Sequence, residues 1–169
     1  MPQDQSAAID ELLLALERLT EQAGERAREA RIGVERHTFA PYHAYRAAIA
    51  EYEALVSVIE GRLEGQSASL VSKTKERLAA SRRKALTLSI KTAFSIFFAL
   101  SAFSNLPIGV REVFAQELHH LNDARTELRS PIHAGKLAAD LEQDLETTEL
   151  ILNEVIAKAP ALVDFGLGR

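Results

Sequence analysis

The stretch ALTLSIKTAFSIFFALSAFSNL, residues 85–106, carries a single formal charge, Lys91, in 22 positions. A segment of this composition cannot face water on most of its surface. On a helix, its small or polar positions Thr87, Lys91, Ser95, Ala99 and Ala102 fall on one narrow stripe, at spacings of four, four, four and three. The rest of the circumference is Leu86, Leu88, Ile90, Phe94, Ile96, Phe97, Phe98, Leu100 and Phe103, so the helix is apolar almost all round. Two environments accept such a helix: the centre of a bundle in water, or a membrane.

Working outward, 169 residues at 47% hydrophobic are enough for one domain with a sizeable core and too few for two comfortable ones. The expectation is a single helical domain over 1–169 with a short tail at 161–169. The chain has no cysteine, which excludes disulfides, thiolate chemistry and cysteine-ligated metals and suits a reducing cytoplasm. The start, MPQDQSAAIDE, is acidic where a secretory signal is basic, so no such signal is expected. A net charge of −4 argues against general nucleic-acid binding, but the average conceals a segregation. Residues 73–91 hold seven bases (Lys73, Lys75, Arg77, Arg82, Arg83, Lys84, Lys91) against one acid, Glu76. Residues 140–154 hold six acids (Asp140, Glu142, Asp144, Glu146, Glu149, Glu154) and no base.

The hydrophobic periodicity is helical throughout. Ile9, Leu12, Leu16, Leu19, Ala23, Ala30 and Val34 define a heptad-like seam for a first helix over 5–37, skipping a position at Arg26. Its second half, with alanines and with Gly24 and Gly33, is expected to be the more mobile half. A break at 37–41 around Pro41 precedes a second helix over 41–63, which holds all three tyrosines, Tyr42, Tyr45 and Tyr52. The loop composition at 64–69 opens a third helix over 69–104. Asn105-Leu106-Pro107-Ile108-Gly109 turns into a fourth over 110–128. Ser130-Pro131 reads as a capped helix start, followed by a seam of Leu137, Leu141, Leu145, Thr148, Leu152, Val155 and Ala159 that Pro160 ends. The fold class is therefore all-α: an elongated antiparallel bundle of about five helices with coiled-coil-like heptad seams and a nearly all-apolar central third helix.

Two short patterns invite a chemical reading. Glu117 and His120 have the Glu-x-x-His spacing that places two ligands on one metal, but di-iron bundles use it twice, and it occurs once here. No metal or other cofactor is expected. The run Glu127-Leu128-Arg129-Ser130-Pro131-Ile132-His133-Ala134-Gly135 resembles the arginine, polar residue, spacer, histidine signature of HEPN ribonucleases, which are helical domains of about this size. The resemblance implies Arg129 and His133 as a catalytic pair, with Ser130 as polar neighbour and catalysis completed by dimerisation. It spans nine residues, and three positions separate Arg129 from His133 where that family has four or more.

The membrane option is written into Ser81-Arg82-Arg83-Lys84 followed by the apolar run, the pattern of a basic flank and a span. Against it, Lys91 would sit within the hydrocarbon, and four other helices each offer an apolar face in need of a partner. The expected function is therefore a non-enzymatic interaction or assembly protein, contacting a protein partner or itself through helices, in the cytoplasm. A membrane-associated helix at 85–106 and a divergent HEPN-like ribonuclease are the alternatives. The basic residues Lys73, Lys75, Arg77, Arg82, Arg83 and Lys84 are expected as an exposed patch. Lys91 is expected as a buried charge reaching a carboxylate of an antiparallel fifth helix.

Overall fold

The computed structural model describes residues 2–161, with side chains from Ser6 onward. Five α-helices follow one another: α1 Pro2–Glu35, α2 Ala40–Arg62, α3 Ala68–Ser101, α4 Val110–Leu128 and α5 Leu141–Lys158, with one 3-10 turn at Pro131–His133 and no strand among the described residues. The fold is all-α, as the periodicity predicts. At 34 residues each, α1 and α3 are about 50 Å long at 1.5 Å per residue.

Chain punctuation sets the ends. In α1 the amide of Thr38 donates to the Gly33 carbonyl at 2.8 Å and that of His37 to the Val34 carbonyl at 3.0 Å. His37 occupies the left-handed conformation, φ 57°, which this helix stop requires. Gly33 is needed for a second reason: a Cβ there would meet the Thr38 carbonyl oxygen at 2.7 Å and Pro41 Cγ at 3.0 Å. Ser67, two residues ahead of the expected start, caps α3, its hydroxyl accepting from the Leu70 amide at 3.4 Å.

The inward seam of α1 is Ile9, Leu13, Leu16, Ala23, Ala27, Ala30 and Val34, all buried. It corrects the expected line: Leu12 and Leu19 are half-buried flanks, and Ala27 fills the position that seemed skipped at Arg26. The alanine half of α1 is buried as fully as the leucine half, its small side chains sharing one buried cluster with Tyr42 and Tyr45 of α2.

Ion pairs and ring contacts fix the helix directions. Arg77 reaches Asp10 at 2.8 Å and Glu17 at 3.2 Å in the first half of α1, Leu78 clusters with Ile9, Leu13 and Leu16, and Ile90, Ile96 and Leu100 cluster with Ala23, Ala30 and Val34, so α3 runs parallel to α1. Phe97 and Phe114 meet edge to face, centroids 5.0 Å apart, and Arg82 lies 4.0 Å from Glu127, so α4 runs back along α3. Arg125 pairs with Glu149, and Arg129 with Glu142 at 3.2 Å, so α5 is antiparallel to α4 and therefore parallel to α3. The expected antiparallel α3–α5 arrangement is thus overturned. An intervening helix of 19 residues reverses the chain twice between them.

The result is a stepped molecule. One end is a three-helix bundle in which Ile9, Leu13 and Leu16 of α1, Tyr52, Val56 and Ile59 of α2, and Leu78 of α3 form one cluster. The other end adds α4 and α5 as a further layer, and Ile96, Phe97, Leu100, Phe114, Leu121, Leu141 and Leu145 join its cluster. Leu121, Leu141 and Leu145 share the cluster of Phe97, whereas Leu16, Tyr52 and Ile59 belong to the other end. Of the expected core residues, Ile96, Phe97 and Leu100 are fully buried and Phe94 and Phe103 half-buried. Phe98 is 61% exposed, so α3 is not covered all round.

The fifth helix begins ten residues later than Ser130-Pro131 suggests. Pro131 starts only a single 3-10 turn, which ends as Ala134 turns extended and Gly135 takes φ 70°. Leu137 is half-buried ahead of the helix, and the expected tail beyond Ala161 lies outside the described residues.

Candidate functional site

α4 presents Val110, Phe114, Glu117 and Leu121 to the core at spacings of four, three and four, so the fold buries a carboxylate among apolar neighbours. Glu117 is 5% exposed. Burial of an acid is tolerated only when its oxygens are bonded. Arg46 of α2 supplies a fork, Nε 2.6 Å from Oε1 and Nη2 3.1 Å from Oε2, and the Tyr42 hydroxyl donates to Oε1. Burial, then the Glu117 charge, pushes the Tyr42 phenol far above its ordinary value. The Arg46 guanidinium also lies 5.8 Å from the Tyr45 ring centroid.

This network occupies both oxygens of the expected metal candidate Glu117. Its companion His120 is exposed, and its imidazole is held below the usual range by desolvation and by Arg46. No group of three or more His, Cys, Asp or Glu among the described residues is arranged to hold a metal.

Beside the network runs a groove of about 400 Å³ between α2, α3 and α4, floored by Ile49, Tyr52, Val56 and Leu86 and edged by charges, among them Arg46, Arg82, Asp123 and Glu127. Arg82 donates to Glu60 at 2.9 Å, and the hydroxyl of Tyr52 lies 3.2 Å from that of the buried Ser81.

Arg129 and His133 do not converge. The Arg129 guanidinium is 62% exposed and bound to Glu142. The His133 ring has no exposed surface; its Nε2 lies 2.7 Å from Glu127 Oε1, and Nδ1 has no partner. A phosphate reaching Arg129 would therefore not meet the imidazole. His133 serves as the buried anchor that ties the 3-10 turn back to α4.

The basic segment splits by partner. Arg77 and Arg82 are committed to carboxylates, whereas Lys73, Lys75 and Lys84 are exposed with no carboxylate at ion-pair distance among the described residues. Arg83 is half-buried, with Nη1 unpartnered. Lys91 is not the buried charge expected: its side chain is 44% exposed. It does reach the acidic segment, its Nζ 2.7 Å from Asp140 and 2.5 Å from Asp144. The hydrogen bonds it donates to these two carboxylates hold the Lys91 ammonium above its ordinary value, and Lys91 in turn depresses Asp140.

The Tyr42–Arg46–Glu117 network is the feature that sequence reasoning missed. Its signal was present: Glu117 occupies an apolar stripe of α4, and a carboxylate there must have a cationic partner. No family model matches this chain, and no curated protein or solved structure is significantly similar to it.

Proposed function

We propose that this chain is an interaction or assembly protein rather than an enzyme, acting in the cytoplasm and recognising itself or another protein through helix–helix contact. The observation that carries the reading is the step. α4 and α5 join the core cluster at only one end of α1–α3, which leaves the α2–α3 face of the other end without a covering layer. The uncovered stretch of α3 carries exposed cations without internal partners. The expected ribonuclease pair, by contrast, is divided between two separate partners, Arg129 in solvent on Glu142 and His133 buried against Glu127.

Membrane association is the second reading. α3 is long and apolar enough to cross a bilayer by length and composition, and Phe98 stands outward on it, stacked on Phe94 at 5.9 Å. Within the fold Ile90, Ile96, Phe97 and Leu100 are spent on the core. The test is expression of the full chain without detergent, followed by high-speed centrifugation and light scattering. The assembly reading expects protein in the supernatant, as an oligomer or in complex with another protein. Recovery with the membrane pellet, released only by detergent, replaces it with the membrane reading.

A further inference from the structure

The α3 stripe that borders α5 at Lys91 continues toward the helix start as Lys84, Ala80 and Lys73, at spacings of seven, four and seven, so these residues share one face. In the five-helix half, α5 lies beside that stripe. In the three-helix half the stripe is bare: Lys73 and Lys84 are exposed, and Ala79 and Ala80 between them are half-buried small residues. Small residues flanked by cations form a surface on which another helix can lie close.

The complementary surface is on the same molecule. The outer face of α5 is Glu146, Leu150 and Glu154, at spacings of four. Leu150 is the most exposed large apolar side chain described, at 68%. Its flanking acids are exposed and unpaired, whereas Asp140, Glu142, Asp144 and Glu149 are all committed to cations within the fold. Among the described residues, the floor of the step thus presents Lys73 and Lys84 outside any ion pair, and the layer beside it presents Glu146 and Glu154, also outside any ion pair, around one leucine.

Resting on the assembly reading, we infer that two copies of this chain pair about a two-fold axis, the α5 outer face of each filling the other's step with Leu150 over Ala80 and Glu146 and Glu154 facing Lys73 and Lys84. Because floor and layer lie in tandem on one side of the bundle, the two contacts form together and the assembly closes as a dimer. Residues 68–84 give a floor about 25 Å long, and two helices make it about 20 Å wide. Counting floor and layer, each copy then covers about 1,000 Å², close to the roughly 800 Å² per partner of a stable interface.

The experiment is sedimentation equilibrium of the full chain at physiological salt without detergent. The expected mass is twice the 18.6 kDa of one chain. Lys73→Glu with Lys84→Glu, and separately Glu146→Lys with Glu154→Lys, should each weaken self-association by about tenfold or more, because like charges then face one another. All four positions are exposed, and circular dichroism confirms retention of the helices; Leu150→Glu gives an independent disruption. Mixing the two reversed proteins restores both contacts in a heterodimer, and recovery of the dimer mass on mixing is the decisive expected result. Two outcomes overturn the pairing without touching the assembly reading: a dimer indifferent to both reversals, and a monomer that enters a complex with another protein. A monomer that pellets with phosphatidylserine vesicles, and ceases to after Lys73→Glu with Lys84→Glu, overturns both in favour of a membrane surface.

Discussion

The two ends of the bundle solve the same packing problem with different side chains. In the three-helix end, α1 contributes Ile9, Leu13 and Leu16, and Val56 and Ile59 of α2, Leu63 just past its end and Leu78 of α3 close the core around them beside a single described aromatic residue, Tyr52. In the five-helix end, α1 contributes Ala23, Ala27 and Ala30, and the bulk of the cluster comes instead from other helices, among it Tyr42, Tyr45, Phe97 and Phe114. Both ends are filled, since interiors approach crystal-like density whichever helix supplies the bulk. The difference lies in what else each end can hold. Aromatic residues brought close by the alanine seam carry hydroxyls into the core, and with them the buried Tyr42–Arg46–Glu117 network. The aliphatic end holds no buried charge among the described residues and keeps one face open.

The largest effect should come from the aromatic centre. Phe97→Ala, at a site with no exposed surface and an edge-to-face partner in Phe114, should cost about 3 to 5 kcal/mol in denaturant unfolding. Native-state hydrogen exchange on the same variant sharpens the comparison. Amides of α4 and α5 should lose protection most, and those of 9–16 and 56–63 least. Equal loss along the whole length would mean that the two clusters act as one cooperative unit.

Next comes the buried network. Glu117→Leu strands Arg46, whose side chain is only 19% exposed, and should cost about 2 to 4 kcal/mol, since the penalty is that of a charge left unpaired. Adding Tyr42→Phe and Arg46→Met should recover most of the loss, because an apolar replacement of the whole network removes the stranded charge. Failure of the triple variant to recover would show that the ion pair itself fixes the α2–α4 docking.

Two glycines of α1 separate opposed outcomes in one helix. Gly24→Ala meets nothing within 4 Å and should stabilise by about 0.5 to 1 kcal/mol. Gly33→Ala drives a Cβ against the Thr38 carbonyl and should destabilise by about 1 to 3 kcal/mol. Thermal melts of both variants check the pair; stabilisation by both would mean that the 36–39 turn gives way freely.

The smallest effects are in the pH dependence. Burial raises the phenols of Tyr42, Tyr45 and Tyr52 above the ordinary 10.0. Their contribution is therefore fully present below pH 10.0 and lost above it, as the unfolded chain ionises first. Tyrosinate absorbance should appear together with loss of helix, and absorbance rising ahead of unfolding would show phenols open to solvent. Lys91 is raised above 10.5 and Asp140 lowered below 3.8, so their contact helps below pH 10.5 and above pH 3.8 and fades beyond either limit. His120, held below 6.5 by desolvation, adds a mild loss of stability as pH falls beneath that value. His120→Gln should flatten that limb of the acid profile.

Local chemistry determined a great deal of this protein. A 3.6-residue apolar period with proline, glycine and serine at its interruptions places five helices in order, and α4 begins and ends where its pattern does, because those signals act between residues a few positions apart. The link between Lys91 and the acidic segment was legible too, since like charges on one helix need cations nearby. The remainder was decided in three dimensions. Ser130-Pro131 has the chemistry of a helix start, yet His133 is drawn into the core against Glu127, and the chain must pass Gly135 before a helix can form. Glu117 became buried because Arg46 and Tyr42, more than 70 positions away, arrive at its oxygens. Which half of α3 receives two further helices, and which half of its charge stays unpaired, depends on the sum of many such distant contacts, and no window of neighbouring residues contains that sum.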